Sequence, residues 1–266
     1  MSQSGNQDRP LILITNDDGH EAPGIAALAE ILEPLGRVIS VAPDRERSGA
    51  GHALTLDRPL RVRTLAKDRY AINGTPTDCI HLGLDNLTDN LKPDLVVSGI
   101  NRGLNIGDDV TYSGTVSATF EGTLLGIPSV AFSQEVAENF SFAAAARFAG
   151  RFVETLCTRE LPKDLLLNVN IPAGEITGLS FTKLGHRVYK QSVVEKKDPR
   201  GRRYFWIAGT PEWKNDEGTD HAAVTAGRIS VTPLHLDLTD YRGIDSYEWL
   251  TRELDVNAIA DGTADE

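Results

Sequence analysis

A chain of 266 residues, 40% hydrophobic and 24% charged, is long enough to bury one large core or two modest ones, which excludes global disorder. Its 38 acidic against 27 basic side chains leave a formal net charge of −11, so no overall positive field exists to hold polymeric DNA or RNA. A small phosphorylated ligand is compatible with that charge, because backbone amides and a bound cation supply local positive potential.

The N-terminal "MSQSGNQDRP" is polar and lacks the apolar stretch of a signal peptide, and no apolar run is long enough to cross a bilayer. The expectation is a cytoplasmic protein with no membrane partner and a disordered leader over residues 1–10. "LILIT" (11–15) reads as a buried strand. After Pro23, apolar residues at Ile25, Leu28, Leu32 and Leu35 trace the stripe of an amphipathic helix, which Gly36 ends. "RVISVAP" (37–43), "DLVVSGI" (94–100) and "PSVAF" (128–132) read as strands, each short, β-branched and bounded by turn formers. Between them lie two predicted helices, residues 75–87, where Thr75 and Pro76 make a cap and first-turn pair, and residues 115–126. A longer Ala-rich helix covers residues 140–157, and "LLLNVNIP" (165–172) is another strand. The two cysteines, Cys79 and Cys157, sit in helix-like stretches outside any C-x-x-C pattern, which points to a reducing compartment and no thiolate zinc site.

This alternation predicts an α/β fold, a Rossmann-like three-layer α/β/α arrangement with a mostly parallel sheet. Beyond residue 174 the texture changes to β-like stretches, "RRYFWIAG" and "GRISVTPL", separated by the acidic loop "TPEWKNDEGTD". These read as antiparallel hairpins added to the core. The expected organisation is a catalytic core over residues 11–173, a β-hairpin extension over 174–240 belonging to the same domain, and a C-terminal helix with an acidic, disordered tail over 241–266.

In open α/β sheets the ligand crevice lies at the carboxyl ends of the strands. Polar, glycine-rich loops fall there three times: "NDDG", "APDRERSGAGH" and "NRGLNIGDDVTYSGT". Asn-Asp-Asp-Gly is a favourable turn in its own right. Two adjacent carboxylates, Asp17 and Asp18, repel unless a cation sits between them, and Gly19 permits the turn that lets both reach one ion. Ser48 and Asn101, at matching strand ends, add hard oxygen donors suited to Mg²⁺, Mn²⁺ or Ca²⁺ rather than zinc. Taken alone, each also reads as a loop residue bonding to its own backbone. Ser113, Gly114 and Thr115 precede a helix and can cradle a phosphate at its positive end, while also serving as an ordinary N-cap. The pattern is neither a P-loop nor a Rossmann G-x-G-x-x-G after the first strand, which weakens ATPase and dehydrogenase readings. His20 and His52 lie near this site in the sequence, His81 reads as packed on an apolar helix, and Glu121, Asp108 and Asp109 read as capping or supporting groups.

"TNDDG" followed by "APGI", then "APDRERSG", "NGTPTDC", "SGINRGLNIGDDVTYSGTVSATFEG", "DPRGRRYFWI" and "GTDHAAVTAGRISVTPL" resemble the SurE survival-protein family, in order from about residue 11 to residue 240. The leader, Phe120 and Arg228 depart from that family's usual pattern. The resemblance implies a metal-dependent acid phosphatase, of the 5′-nucleotidase type, acting on nucleoside 5′- and 3′-monophosphates. It implies that Asp17, Asp18, Ser48 and Asn101 hold one divalent metal ion per subunit, Mg or Mn. Ser113, Gly114 and Thr115, with Asn105, would contact the phosphate. It further implies a homodimer or homotetramer that exchanges C-terminal segments. Asp17 and Asp18 are the candidate catalytic groups, assisting an activated water, with direct carboxylate attack as the alternative within hydrolysis. A nucleotide-binding stress sensor without turnover is the rival class.

Overall fold

The apolar run at residues 11–15 forms β1 (Leu11–Thr15), buried along its whole length because both of its faces are covered. Ile12 and Ile14 pack with Ile25, Leu28 and Leu32 of the amphipathic helix α1 (Pro23–Leu32). Leu11 and Leu13 point to the opposite face, against Cys79 and Ile80 of α2 (Pro76–Leu82). The computed structural model describes residues 9–190, 193–207, 210–214 and 216–254; the expected leader up to residue 8 and the expected acidic tail lie outside them.

The remaining core elements follow the predicted alternation. They are β2 (Arg37–Pro43), β3 (Val62–Ala66), β4 (Arg69–Ile72), β5 (Leu95–Arg102), α3 (Gly114–Leu124), β6 (Ser129–Gln134), α4 (Ala143–Cys157) and β7 (Leu166–Ile171). Beyond them come β8 (Gly178–Phe181), β9 (Arg187–Lys190), β10 (Val193–Lys197), β11 (Arg203–Ile207), β12 (Thr210–Trp213), α5 (Asp220–Thr225) and β13 (Arg228–Pro233). Nine strands form one sheet in the order β3-β4-β2-β1-β5-β6-β7-β13-β8. The run from β4 through β7 is parallel. The chain steps outward from β1 to β2 and later returns to β5 on the other side of β1, which makes the carboxyl ends of β1 and β5 a topological switch point.

Local chemistry accounts for the element ends. Thr75 caps α2 as predicted: its hydroxyl accepts from Asp78 N while the Asp78 carboxylate accepts from Thr75 N, a reciprocal capping box. Helix α1 ends at Leu32, short of Gly36, although Leu35 still packs on the core from the following turn. Helix α4 starts at Ala143, because Phe140 and Phe142 are held as an edge-to-face pair with centroids 4.7 Å apart.

Two readings of the sequence are corrected, and one strand pair is new. β3 and β4 form an antiparallel pair at the sheet edge that the sequence did not announce, since β3 is exposed throughout and carries no apolar alternation. The stretch "GRISVTPL" is no added hairpin: β13 is buried in the central sheet, antiparallel to β7 and parallel to β8. Part of the expected acidic loop is β12, paired antiparallel with β9. Within "RRYFWIAG", Arg203–Ile207 does form the predicted hairpin, β11 against β10, and Tyr204, Phe205, Trp206 and Ile207 stand exposed. Arg228 donates to Ser180 Oγ and Leu179 O, both at 2.6 Å, and so ties β13 to β8. Among the described residues, Leu236 to Leu254 belong to a second compact unit, in which α6 (Tyr241–Tyr247) and α7 (Leu250–Glu253) are short.

Phe132 of β6 is fully buried and meets Phe152 edge-to-face at 5.8 Å. Phe132→Ala is expected to cost about 3–5 kcal/mol of stability, read from urea unfolding midpoints; a change below 1 kcal/mol would mean the core closes around the cavity.

Candidate active site

Immediately after β1, Asn16 donates to Gly19 O at 3.0 Å and Gly19 takes a φ of +97°, which reverses the chain and brings Asp17 and Asp18 to the switch-point crevice. The backbone carbonyl of Asp17 accepts from Arg47 N at 2.7 Å, so the loop after β2, which carries Ser48, is fastened to the aspartates. β5 breaks register with β6 between Ser98 and Asn101, and Asn101 emerges at the same crevice. Asp17, Asp18, Ser48, Asn101, Asn105 and Ser113 line one cavity of about 1000 Å³. Gly114 and Thr115 stand behind its wall, both buried.

The carboxylates are held in a state that a cation would relieve. Burial raises the Asp17 pKa above its ordinary value, against hydrogen bonds that oppose the shift. Burial and then the neighbouring Asp17 charge push Asp18 up to about 6, although it accepts from the Arg102 backbone. Glu46 adds a further like charge to both. Asn101 donates its amide to Gly103 O at 3.0 Å, which leaves its carbonyl oxygen as a donor to a cation. Ser48 donates to Glu46 Oε1 at 3.0 Å, which leaves its oxygen lone pairs as donors. Among the described residues no group of three or more His, Cys, Asp or Glu side chains is placed to hold a metal. The set here is instead two carboxylates with a hydroxyl and an amide oxygen, the hard donors that suit Mg²⁺ or Mn²⁺.

The amino end of α3 supplies the opposite polarity. Ser113 is its N-cap, accepting from Val116 N at 3.1 Å, and its hydroxyl proton remains for an anion in the cavity. Helix and aspartate approach so closely that a Cβ on Gly114 would lie 2.7 Å from Asp17 Cβ. The Thr115 side chain is wholly buried and its hydroxyl donates to Asp17 Oδ1, which leaves the backbone amide as the group by which Thr115 could meet a phosphate. The hydroxyl orients the carboxylate.

Several residues that build the site were not singled out in the sequence. Asn168 and Asn170 both donate to Asn105 O, and Asn170 Oδ1 accepts from Asn105 N, so two alternate positions of β7 fix the loop that carries Asn105. Asparagines two apart in the otherwise apolar "LLLNVNIP" were the available signal. Asp220, buried at the start of α5, accepts from Gly107 N, Gly185 N and His221 N. Asp108 accepts from Arg187 N, and Asp109 is ion-paired with Arg187. Of the histidines, His20 meets Arg63 at 2.9 Å, while His52 and His81 both engage Glu121. His81 is therefore no packed core residue but a partly exposed partner of a buried carboxylate.

Residues 12–191 match the family described as Survival protein SurE. A relative named 5′-nucleotidase SurE from Geobacter sulfurreducens (strain ATCC 51573 / DSM 12127 / PCA) is 54% identical over 238 residues, covering 88% of this chain and 90% of its own. Another of the same name from Aquifex aeolicus (strain VF5) is 49% identical over 246 residues, 91% of this chain and 98% of its own. The crystal structure of the SurE protein from Aquifex aeolicus superposes with a TM-score of 0.82 at 48% identity, covering 91% of this chain and 100% of that one.

Because the folded state raises the Asp18 pKa from 3.8 to about 6, this group's contribution to stability is present below pH 4 and lost as pH rises through 6. Metal-free Asp18→Asn is expected to melt about 2–4 °C above the metal-free wild type at pH 7, roughly 1 kcal/mol after solvent screening, with the gap closing toward pH 4. Calorimetric scans across that range check it; a variant that melts lower at pH 7 contradicts the reading.

Proposed function

The chain belongs to the SurE family, and on that premise we propose that it is a divalent-metal-dependent phosphomonoesterase that hydrolyses nucleoside 5′- and 3′-monophosphates to nucleoside and phosphate. The observation that carries this reading is the junction of two opposite polarities in one cavity. Asp17, a buried carboxylate with a raised pKa, stands directly against the amino end of α3.

Asp17, Asp18, Ser48 and Asn101 would hold one Mg²⁺ or Mn²⁺ per subunit. Once bound, that ion supplies Lewis acidity, lowering the pKa of the attacking water and neutralising charge on the transferring phosphoryl group. Ser113 and the first amides of α3 would bind the phosphate oxygens, with Asn105 also lining the cavity. Asn105 donates to Ser133 Oγ at 2.8 Å and is clamped from β7, so its position is set before substrate arrives. Thr115 keeps Asp17 oriented. Asp17 or Asp18 is the group in this reading that would assist removal of a proton from the attacking water.

The assembly we propose is a homodimer or homotetramer. Val193, Phe205, Trp206 and Ile207 of the β10–β11 hairpin are all exposed, and an isolated two-stranded hairpin is marginal in water without a covering surface. Ile207 also lines the active-site cavity, which connects assembly to the site. No described helix is long and apolar enough to cross a membrane; a cytoplasmic setting is part of the proposal.

The deciding assay is phosphate release from 5′- and 3′-nucleoside monophosphates with Mg²⁺, Mn²⁺ or EDTA. Release is expected only with metal, and Asp17→Asn is expected to lose about 10³-fold in rate, the equivalent of several kcal/mol of transition-state stabilisation. Metal-linked nucleotide binding with no release would instead indicate the sensor. For the assembly, Trp206→Glu combined with Phe205→Glu is expected to shift sedimentation toward monomer; an unchanged profile would place the interface elsewhere.

A further inference from the structure

One buried carboxylate takes no part in the cation or phosphate contacts described above. Glu121 lies on α3, six residues beyond Thr115, with its side chain only 8% exposed. Each of its oxygens meets a different imidazole: Oε2 lies 2.8 Å from His52 Nε2, and Oε1 lies 2.8 Å from His81 Nε2. His81 comes from the last turn of α2. His52 comes from the loop after β2, four residues beyond Ser48, and its ring also meets Phe120 edge-to-face at 5.9 Å. A carboxylate this buried is costly unless both oxygens are satisfied, so the three side chains form one unit rather than a chance surface pair.

The placement of that unit matters because of what lies beside it. Ser48 and Gly49 are exposed, and the segment has few anchors of its own. Upstream, Arg47 N donates to Asp17 O at 2.7 Å; downstream, Gly51 N donates to Tyr112 O at 3.2 Å. The first side-chain anchor downstream of Ser48 is His52, before Ala53 O accepts from Thr75 Oγ1 at 2.7 Å and Thr55 Oγ1 donates to Asp78 at 2.6 Å. Since Glu121 belongs to the helix whose first residues are proposed to bind the phosphate, the His52 contact ties the Ser48 segment directly to that helix.

Resting on the reading of Ser48 as a metal ligand, we propose that Glu121 is a positioning residue: through His52 it holds the Ser48 loop in register with Asp17, Asp18 and Asn101 for a divalent cation. His81 occupies the other oxygen and fixes the carboxylate's direction. A supporting partner of this kind commonly changes metal affinity by 10–100-fold when it is lost.

The test is Mn²⁺ affinity of the full chain by titration calorimetry, with kcat and KM for one nucleoside monophosphate measured alongside. His52→Ala, on a partly exposed loop side chain, is expected to weaken Mn²⁺ binding about tenfold. It should leave kcat at saturating Mn²⁺ within about threefold of wild type, a split that general destabilisation would not produce. Glu121→Gln, which can still accept from one imidazole and donate to the other, is expected to stay within about threefold of wild type in Mn²⁺ affinity. In a Ser48→Ala background His52→Ala should add nothing, since both act through one ligand. Full additivity of the two, or unchanged Mn²⁺ affinity in His52→Ala, overturns the positioning role alone. Unchanged affinity in Ser48→Ala overturns the ligand assignment, and the positioning role with it.

Discussion

The arrangement around β1 depends on a repulsion. Asp17 and Asp18 are neighbours at the end of a fully buried strand, and burial drives both toward protonation. Nothing about the turn alone requires that conflict, since Asn16 and Gly19 would shape the reversal with other side chains at 17 and 18. The surroundings are consistent with a conflict retained for use. Thr115 grips Asp17, the Arg102 backbone supports Asp18, and Glu46 adds further negative charge. Such a site is least comfortable when empty, which is how a cation-dependent centre obtains affinity and orientation from the same residues.

The parallel core was legible because β1, β2, β5, β6 and β7 are largely buried and announce themselves as short, mostly apolar, β-branched runs. The set proposed to hold the cation could be picked out for a related reason. It sits on loops directly attached to those strands, so local position in the chain implies position in space. What could not be read depended on pairing across long separations. β13 joins β7 some sixty residues later in the chain, and β3 leans on β4 with no buried face of its own. Thr115 and Asn105 show the same limit at the site. The Thr115 hydroxyl turns to Asp17, and Asn105 depends on asparagines from β7 that only tertiary structure brings near.

The region beyond β7 does more than decorate the core. Arg187 is ion-paired with Asp109, Arg187 N donates to Asp108, and Asp220 receives Gly107 N, so the segment leading to α3 is gripped from the C-terminal side. β13 meanwhile extends the central sheet. The boundary suggested by a change of sequence texture near residue 174 is therefore a change in local pattern and not in structural dependence.

The Asp220 contact carries a consequence for how the molecule acquires competence. Gly107 and Asp220 are 113 residues apart, so this contact closes a long loop and can form only once the chain through Asp220 has been made. The residues proposed to hold the cation all occur before residue 102, whereas the pin on the loop that precedes the phosphate site arrives more than a hundred residues later in synthesis. A nascent chain would thus present its carboxylates well before its anion site is locked, and hydrolytic ability would emerge as a late event in folding, gated by the last strands rather than by the residues that do the chemistry.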